Sequence, residues 1–244
     1  MLNISNPNIT SLSSPNLSLL TKNDTNKNIL ELLSSDTLGN KDVKNLKNVL
    51  ELKINNSLDN NLNNLIKSLK KENSIADKTL LKLEQTLVDI KNIDGKIVKE
   101  KIDNSGLFFE NKILKFLQKN LNISIIPKSI TDDIKAILLT AKQDTVSVEL
   151  EKQIDKLLIQ IESNQLRFID ENIIYLQLPI LWERLKEHSL KIKKIDKEKF
   201  YCEIELNLEN YGKMKISLML YNDETTSITF FVANRSLQNI IKEN

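Results

Sequence analysis

The chain of 244 residues carries a net charge of +2, from 35 basic and 33 acidic residues that are interspersed, with one cysteine and one histidine. These numbers exclude an intramolecular disulfide, the usual zinc sets, and the concentrated basic face with which proteins displace counterions from nucleic acid, so no nucleic-acid partner is expected. No apolar run approaches the ~18 residues of a membrane helix, and Met1-Leu2-Asn3-Ile4-Ser5-Asn6-Pro7 lacks the basic and apolar regions of a cleaved signal, so no membrane insertion is expected and the protein is read as cytoplasmic.

Residues 1–40 mix Ser, Asn and Thr with scattered Leu and Ile, and Pro7 and Pro15 interrupt them. So little apolar surface does not offset ordering entropy, and the segment is expected to be disordered. From Val43 the apolar residues Leu46, Val49, Leu50, Ile54, Leu58, Leu62, Leu65, Ile66 and Leu69 fall on one helical stripe. The Asn-rich stretch 55–64 weakens that helix, which is expected to form only against a partner. A second amphipathic stretch carries Ile75, Leu80, Leu83, Leu87 and Ile90 and ends at a turn, Asp94-Gly95. Ser105 is expected to cap a short helix with Phe109, Ile113 and Phe116 on one side. After Pro127 a helix starts at Ser129 or Thr131, with Asp132 and Asp133 near its positive end and Ile134, Ile137, Leu138 and Ala141 as its apolar face. The last long helix starts near Ser147 and turns Leu150, Ile154, Leu157, Leu158, Ile161 and Leu166 inward.

The period changes near Asn172. Tyr175 to Leu178 reads as a short strand stopped by Pro179, and Leu190 to Ile195 as an edge strand with lysines facing water. Phe200, Cys202, Ile204, Leu206 and Leu208 alternate with polar residues, Tyr211-Gly212 makes a turn, and Met214, Ile216, Leu218 and Leu220 alternate in turn. Ile228, Phe230 and Val232 supply a third stripe, and Ser236 caps a final helix carrying Leu237, Ile240 and Ile241. Three consecutive strands with short loops imply an antiparallel meander whose apolar face needs a covering helix. The long helix from Ser147 and the C-terminal helix are the candidates. The expected fold class is α+β: a small antiparallel β-meander with covering helices, behind a mainly helical and partly disordered N-terminal region. Its divisions fall at 1–100, 101–146 and 147–244.

Few residues suggest chemistry. Cys202 shares a face with Phe200 and Ile204 and reads as a small buried hydrophobe. His188 reads as a solvated loop residue, with no second His or nearby Cys to act on. Glu203 and Glu205 read as cross-strand partners of Lys213 and Lys215. No phosphate loop, nucleophile elbow or metal motif occurs, so neither an enzyme nor a cofactor is expected. Trp182, in Leu178-Pro179-Ile180-Leu181-Trp182-Glu183, either closes a core or anchors a partner, and core closure is the stronger reading.

The segment Leu206-Asn-Leu208-Glu209-Asn-Tyr211-Gly212-Lys-Met214-Lys-Ile216-Ser-Leu218, followed by Ile228-Thr-Phe230-Phe-Val232-Ala233-Asn234-Arg235, resembles the C-terminal domain of flagellar hook-length control proteins. That family shows Leu-x-Pro-Glu-x-Leu-Gly-x-Val-x-Val-x-Leu, then a strand ending in Ala-Glu, then a helix. Glu209, Gly212, Ile216 and Leu218 match; Met214 replaces Val, Leu208 stands for Pro, and Tyr211 stands for Leu. Ser105-Gly106-Leu107-Phe108-Phe109-Glu110, Gln160 to Leu166 and Leu178 to Glu183 are similar to segments of some members. Members continue beyond the final helix, so a chain stopping at Asn244 is expected to be a truncated member or a fragment.

The resemblance implies a substrate of the flagellar type III export apparatus that leaves without a cleaved signal. Its N-terminal part would gauge hook length, and its C-terminal domain would bind the cytoplasmic domain of the export-gate switch protein. Hook and hook-cap subunits are further implied partners. Met219 is expected on the wet face of its strand as an apolar anchor, and Met214, Ile216 and Trp182 are the other candidate partner-binding residues, although Met214 and Ile216 share parity with the core. The competing reading is a helical structural or chaperone-like protein whose stripes at 43–69 and 75–90 are the working surface.

Overall fold

The computed structural model describes residues 58–72, 75–119, 125–221 and 225–243. The expectations for residues 1–57, including disorder and the first half of the stripe from Val43, lie outside them. The fold is α+β. Helices α1 (Leu58–Glu72), α2 (Asp77–Thr86), α3 (Gly95–Asp103), α4 (Phe109–Lys119), the single turn α5 (Lys128–Thr131), α6 (Ile134–Asp144) and α7 (Val148–Glu171) precede most of the strands. Strands β2 (Ile173–Leu176), β4 (Leu185–Lys194), β5 (Lys199–Leu208), β6 (Gly212–Tyr221) and β7 (Thr225–Val232) form one antiparallel sheet in that order. Two short strands, β1 (Val88–Asp89) and β3 (Ile180–Leu181), pair in parallel, and α8 (Arg235–Glu243) follows β7.

The helical core joins α1, α2, α6 and α7. Leu58, Leu62, Leu65, Ile66 and Leu69 are buried together with Leu83, Ile137, Leu138, Ala141, Leu150, Ile154, Leu157 and Ile161. The stripe of α1 therefore has its covering partner within the same chain, which lets an Asn-rich helix form despite poor propensity. The divisions expected at 100 and 146 both run through this core rather than between separate cores. Over residues 58–83, the surface that a helical interaction protein would offer is already occupied.

Local signals explain most helix starts. α7 starts beside Ser147 as expected, with the Ser147 hydroxyl accepting from Leu150 N, and runs to Glu171, where Asn172 at φ 53° closes it in the left-handed conformation. Asp133 is the N-cap of α6, accepting from Lys135 N, rather than a first-turn residue of a longer helix. Asp94-Gly95 opens a helix instead of ending one, because the Asp94 carboxylate accepts from Ile97 N. Ser105 does not cap α4: its hydroxyl donates to Ile102 O behind it, while Gly106 turns the chain at φ +85°.

Two strand expectations need correction. The edge strand expected at 190–195 is the second half of the ten-residue β4, which lies between β2 and β5. Its Lys193 and Lys194 still face water. His188 is not a loop residue: it lies within β4, is buried, and its Nε2 sits 2.5 Å from Leu178 O as hydrogen-bond donor. The missed signal is that Leu185, His188 and Leu190 straddle a register shift between Leu185 and Glu187, which breaks strict alternation.

Candidate functional site

The apolar face of the sheet is the candidate site. Its in-register rows contain Ile192, Cys202 and Leu218; Leu190, Ile204 and Ile216; and their neighbours Ile228 and Phe230 on β7. Alternation puts all these side chains on one face. Burial along the rows falls steadily across the sheet. Ile174, Leu176, His188 and Leu190 are buried, Phe200, Cys202, Ile204, Ile216, Leu218 and Leu220 are half-buried, and Ile228 and Phe230 are 53% and 47% exposed.

The reason is helix placement. α7 packs on β2, at one edge of the sheet, while α8 packs at the hairpin end of the sheet, beside the last residues of β7. There Leu237 is buried with Leu185 and Leu208, and Trp182, Leu206, Tyr211, Met214, Val232 and Ile241 close around them. Both helices expected to cover the sheet do contact it, but neither covers its middle on the β6–β7 side.

The residues singled out from sequence therefore divide. Trp182 and Met214 meet in the cluster under α8, and Tyr211 joins them. Ile216 lies one step further along the same face, half-buried, opposite Phe230. Met219 is on the other face, half-buried between Tyr201 and Ser227. The four candidate anchors do not make one surface. Ile228 and Phe230, read from sequence only as a core stripe, are the most open apolar residues on the face carrying Ile216. Alternation reports which face a residue takes, and carries no signal for whether a helix covers it.

Gly212 opens β6 at φ +72°, after the three residues 209–211 that link Leu208 to its register partner Gly212. A three-residue hairpin loop commonly needs that left-handed residue. The loop is also tied to the preceding segment, since Glu209 N donates to Arg184 O at 2.9 Å.

On the opposite face the charges pair across strands. Glu205 faces Lys215 in register, but the ion pair runs diagonally from Lys215 to Glu203 at 2.7 Å, and Lys213 faces Asn207. Burial would raise the Glu203 carboxyl, yet hydrogen bonds from Lys215 and Tyr201 outweigh it and hold the group below its usual range. Burial, with the charge of Glu203 second, pushes the Cys202 thiol up to about 11, so little thiolate is present at neutral pH.

A second charged constellation fastens the Ser105–Glu110 segment to the helices. Lys112 pairs with fully buried Asp133 at 2.9 Å, and Lys135 pairs with Glu110 at 2.5 Å and Glu162 at 3.5 Å. Gln165 donates to Gly106 O at 2.7 Å, and Phe108 meets Phe168 edge-on with centroids 5.8 Å apart. Burial outweighs the neighbouring ammonium groups and holds the carboxyls of Asp133 and Glu162 above their ordinary range. The network's hydrogen bonds and ion pairs bind α4, α6 and α7 together. Among the described residues no group of three or more His, Cys, Asp or Glu could hold a metal ion, and no helix is long and apolar enough to cross a membrane. Comparison with protein-family models, with curated proteins and with solved structures found no match.

Proposed function

We propose that this chain controls flagellar hook length and switches export specificity, acting by protein–protein binding and without catalysis. The partner in this reading is the cytoplasmic domain of the export-gate switch protein, with hook and hook-cap subunits met during export through the type III apparatus. The observation that carries it is the half-open apolar face around Ile216, Leu218, Ile228 and Phe230, in the hairpin whose sequence resembles the hook-length control family. An apolar patch of this kind, rimmed by polar residues, suits a binding surface.

The experiment is genetic, in a flagellated strain where this is the sole such protein. Phe230→Asp, at a 47% exposed position, should leave thermal unfolding nearly unchanged while giving overlong hooks with few filaments. Met219→Asp, on the other face, should produce the same defect only if the partner also wraps that face. Ile216→Asp, in the middle of the sheet, should unfold the domain and abolish switching indirectly. Normal hooks and filaments with Ile216→Asp would remove the assignment.

A further inference from the structure

Strand β7 ends the sheet, and among the described residues no strand pairs with its outer edge; at its last residue Gln238 Nε2 of α8 donates to Val232 O at 2.6 Å. Exposed edges are ordinarily guarded by charge, proline, bulges or shortness. The other edge, β2, is four residues long and carries α7 against it. β7 has none of these guards: Thr225-Thr-Ser-Ile-Thr-Phe-Phe-Val232 contains no charge, no proline and no glycine, and it pairs with β6 without a register shift. Ile228, Phe230 and Phe231 are 53%, 47% and 54% exposed.

We propose that this edge pairs antiparallel with β7 of a second copy, around a two-fold axis through Thr229. This goes beyond the binding reading above, because it uses the strand's edge and not the sheet's face. Three features favour a second copy as the occupant. An antiparallel two-fold pairing keeps both sheets facing the same way, so Ile228 lies opposite Phe230 of the other copy, twice, and the two open apolar faces become one. Such aromatic–aliphatic cross-strand pairs are among the favourable ones. The strand is uncharged throughout, so self-pairing sets no like charges opposite each other. By contrast, β4 with Lys191 and Lys193, β5 with Glu203 and Glu205, and β6 with Lys213 and Lys215 would each risk it. Finally, an isologous contact closes at two copies and leaves only the short, helix-covered β2 edges outermost.

The test is sedimentation of the full chain from low micromolar to millimolar concentration, with wild type expected to dimerise reversibly. Thr229→Lys places two ammonium groups across the axis on the face away from Ile216. It should raise the dimer dissociation constant roughly tenfold or more while leaving thermal unfolding of the dilute protein unchanged. In a Cys202→Ser background, Thr229→Cys should form an intermolecular disulfide under mild oxidation, because facing Cα atoms in an antiparallel pair lie within disulfide reach. Thr225→Cys, which pairs with Ala233 in this register, should not. A wild-type chain that stays monomeric overturns the proposal. So does a dimer indifferent to Thr229→Lys, or the absence of a cross-link in the Thr229→Cys chain. Loss of the dimer with normal switching would leave the binding function intact, so the two readings fail separately.

Discussion

Gly106 offers the sharpest test of the packing, because two glycines with positive φ differ only in their surroundings. Gly106 sits at φ +85°, and a Cβ built there would lie 2.6 Å from Ile161 Cγ2 and 3.3 Å from both Ile161 Cδ1 and Lys135 Cβ. Gly212 sits at φ +72° with nothing within 4 Å of its Cβ position. An alanine at either position meets left-handed backbone strain of about 1 kcal/mol. At Gly106 it must also displace Ile161, which belongs to the closely packed helical core, at a further cost of about 1–3 kcal/mol. Gly106→Ala should therefore destabilise by about 2–4 kcal/mol and Gly212→Ala by about 1 kcal/mol. For a folded region of this size the midpoint falls by about 2–4 °C per kcal/mol, giving losses of about 5–15 °C and 2–4 °C. Urea titration and thermal melting followed by circular dichroism measure the free-energy and midpoint losses. Ile161→Ala added to Gly106→Ala removes the clashing methyls, so the double variant should lose less than the sum of the singles. Equal losses at the two glycines, or additive losses in the cycle, would refute the close approach of α7 to the Gly106 turn.

Gly212→Val, which adds a β-branched side chain to the strain, should cost more than ~1 kcal/mol by the same unfolding assay; an unchanged midpoint would mean that the hairpin turns differently. Asp133→Ala removes the α6 cap and leaves the Lys112 ammonium, only 18% exposed, without its buried partner, so a loss of about 3–5 kcal/mol is expected in urea titration. Burial raises the folded-state carboxyl of Glu162, so the native state binds its proton more tightly than the unfolded chain does. The contribution of this group to stability therefore grows as pH falls from its raised value toward the ordinary glutamate range. Glu162→Gln should remove that acid-side gain, and parallel pH–stability curves for wild type and variant would contradict the shift.

The helices were legible where apolar spacing and a cap agreed. The residues chosen for the inward faces of α1, α6 and α7 are buried, and Ser147 caps α7 as its position implies. Reading failed where one residue type serves two roles. Asp94-Gly95 is a turn by composition, yet an Asp before a helix is also an N-cap, and here the following Ile97 and Ile102 pattern decides for α3. Alternation located β5, β6 and β7 but not the full length of β4, whose register shift breaks the period. Candidate anchors suffered from a different loss of information. Parity placed Ile216 and Met219 on opposite faces correctly, but exposure depends on which helix lies above a strand, and that is set by residues far away in sequence.

The open face follows from how α7 divides its length. Its first half, Leu150 to Ile161, is committed to α1 and α6, and its remainder packs on β2 at the edge of the sheet. Covering the middle of the sheet would need another apolar helix, and α8 is nine residues long with Leu237 as its buried residue. The sheet therefore draws its stability unevenly. The rows near β2 share buried contacts with the helical half, the hairpin end is sealed by Trp182, Tyr211 and Leu237, and the rows through Leu218, Ile228 and Phe230 rest mainly on strand pairing. Apolar surface left in that state gains from burial by whatever partner fits it, at about 25 cal/mol per Å² before the costs of association. A polar substitution at its exposed positions, Ile228 and Phe230, removes little from the folded chain and much from a complex, whereas one at half-buried Ile216 removes folding contacts as well. That asymmetry lets Phe230→Asp and Ile216→Asp separate binding from folding on one face of one sheet.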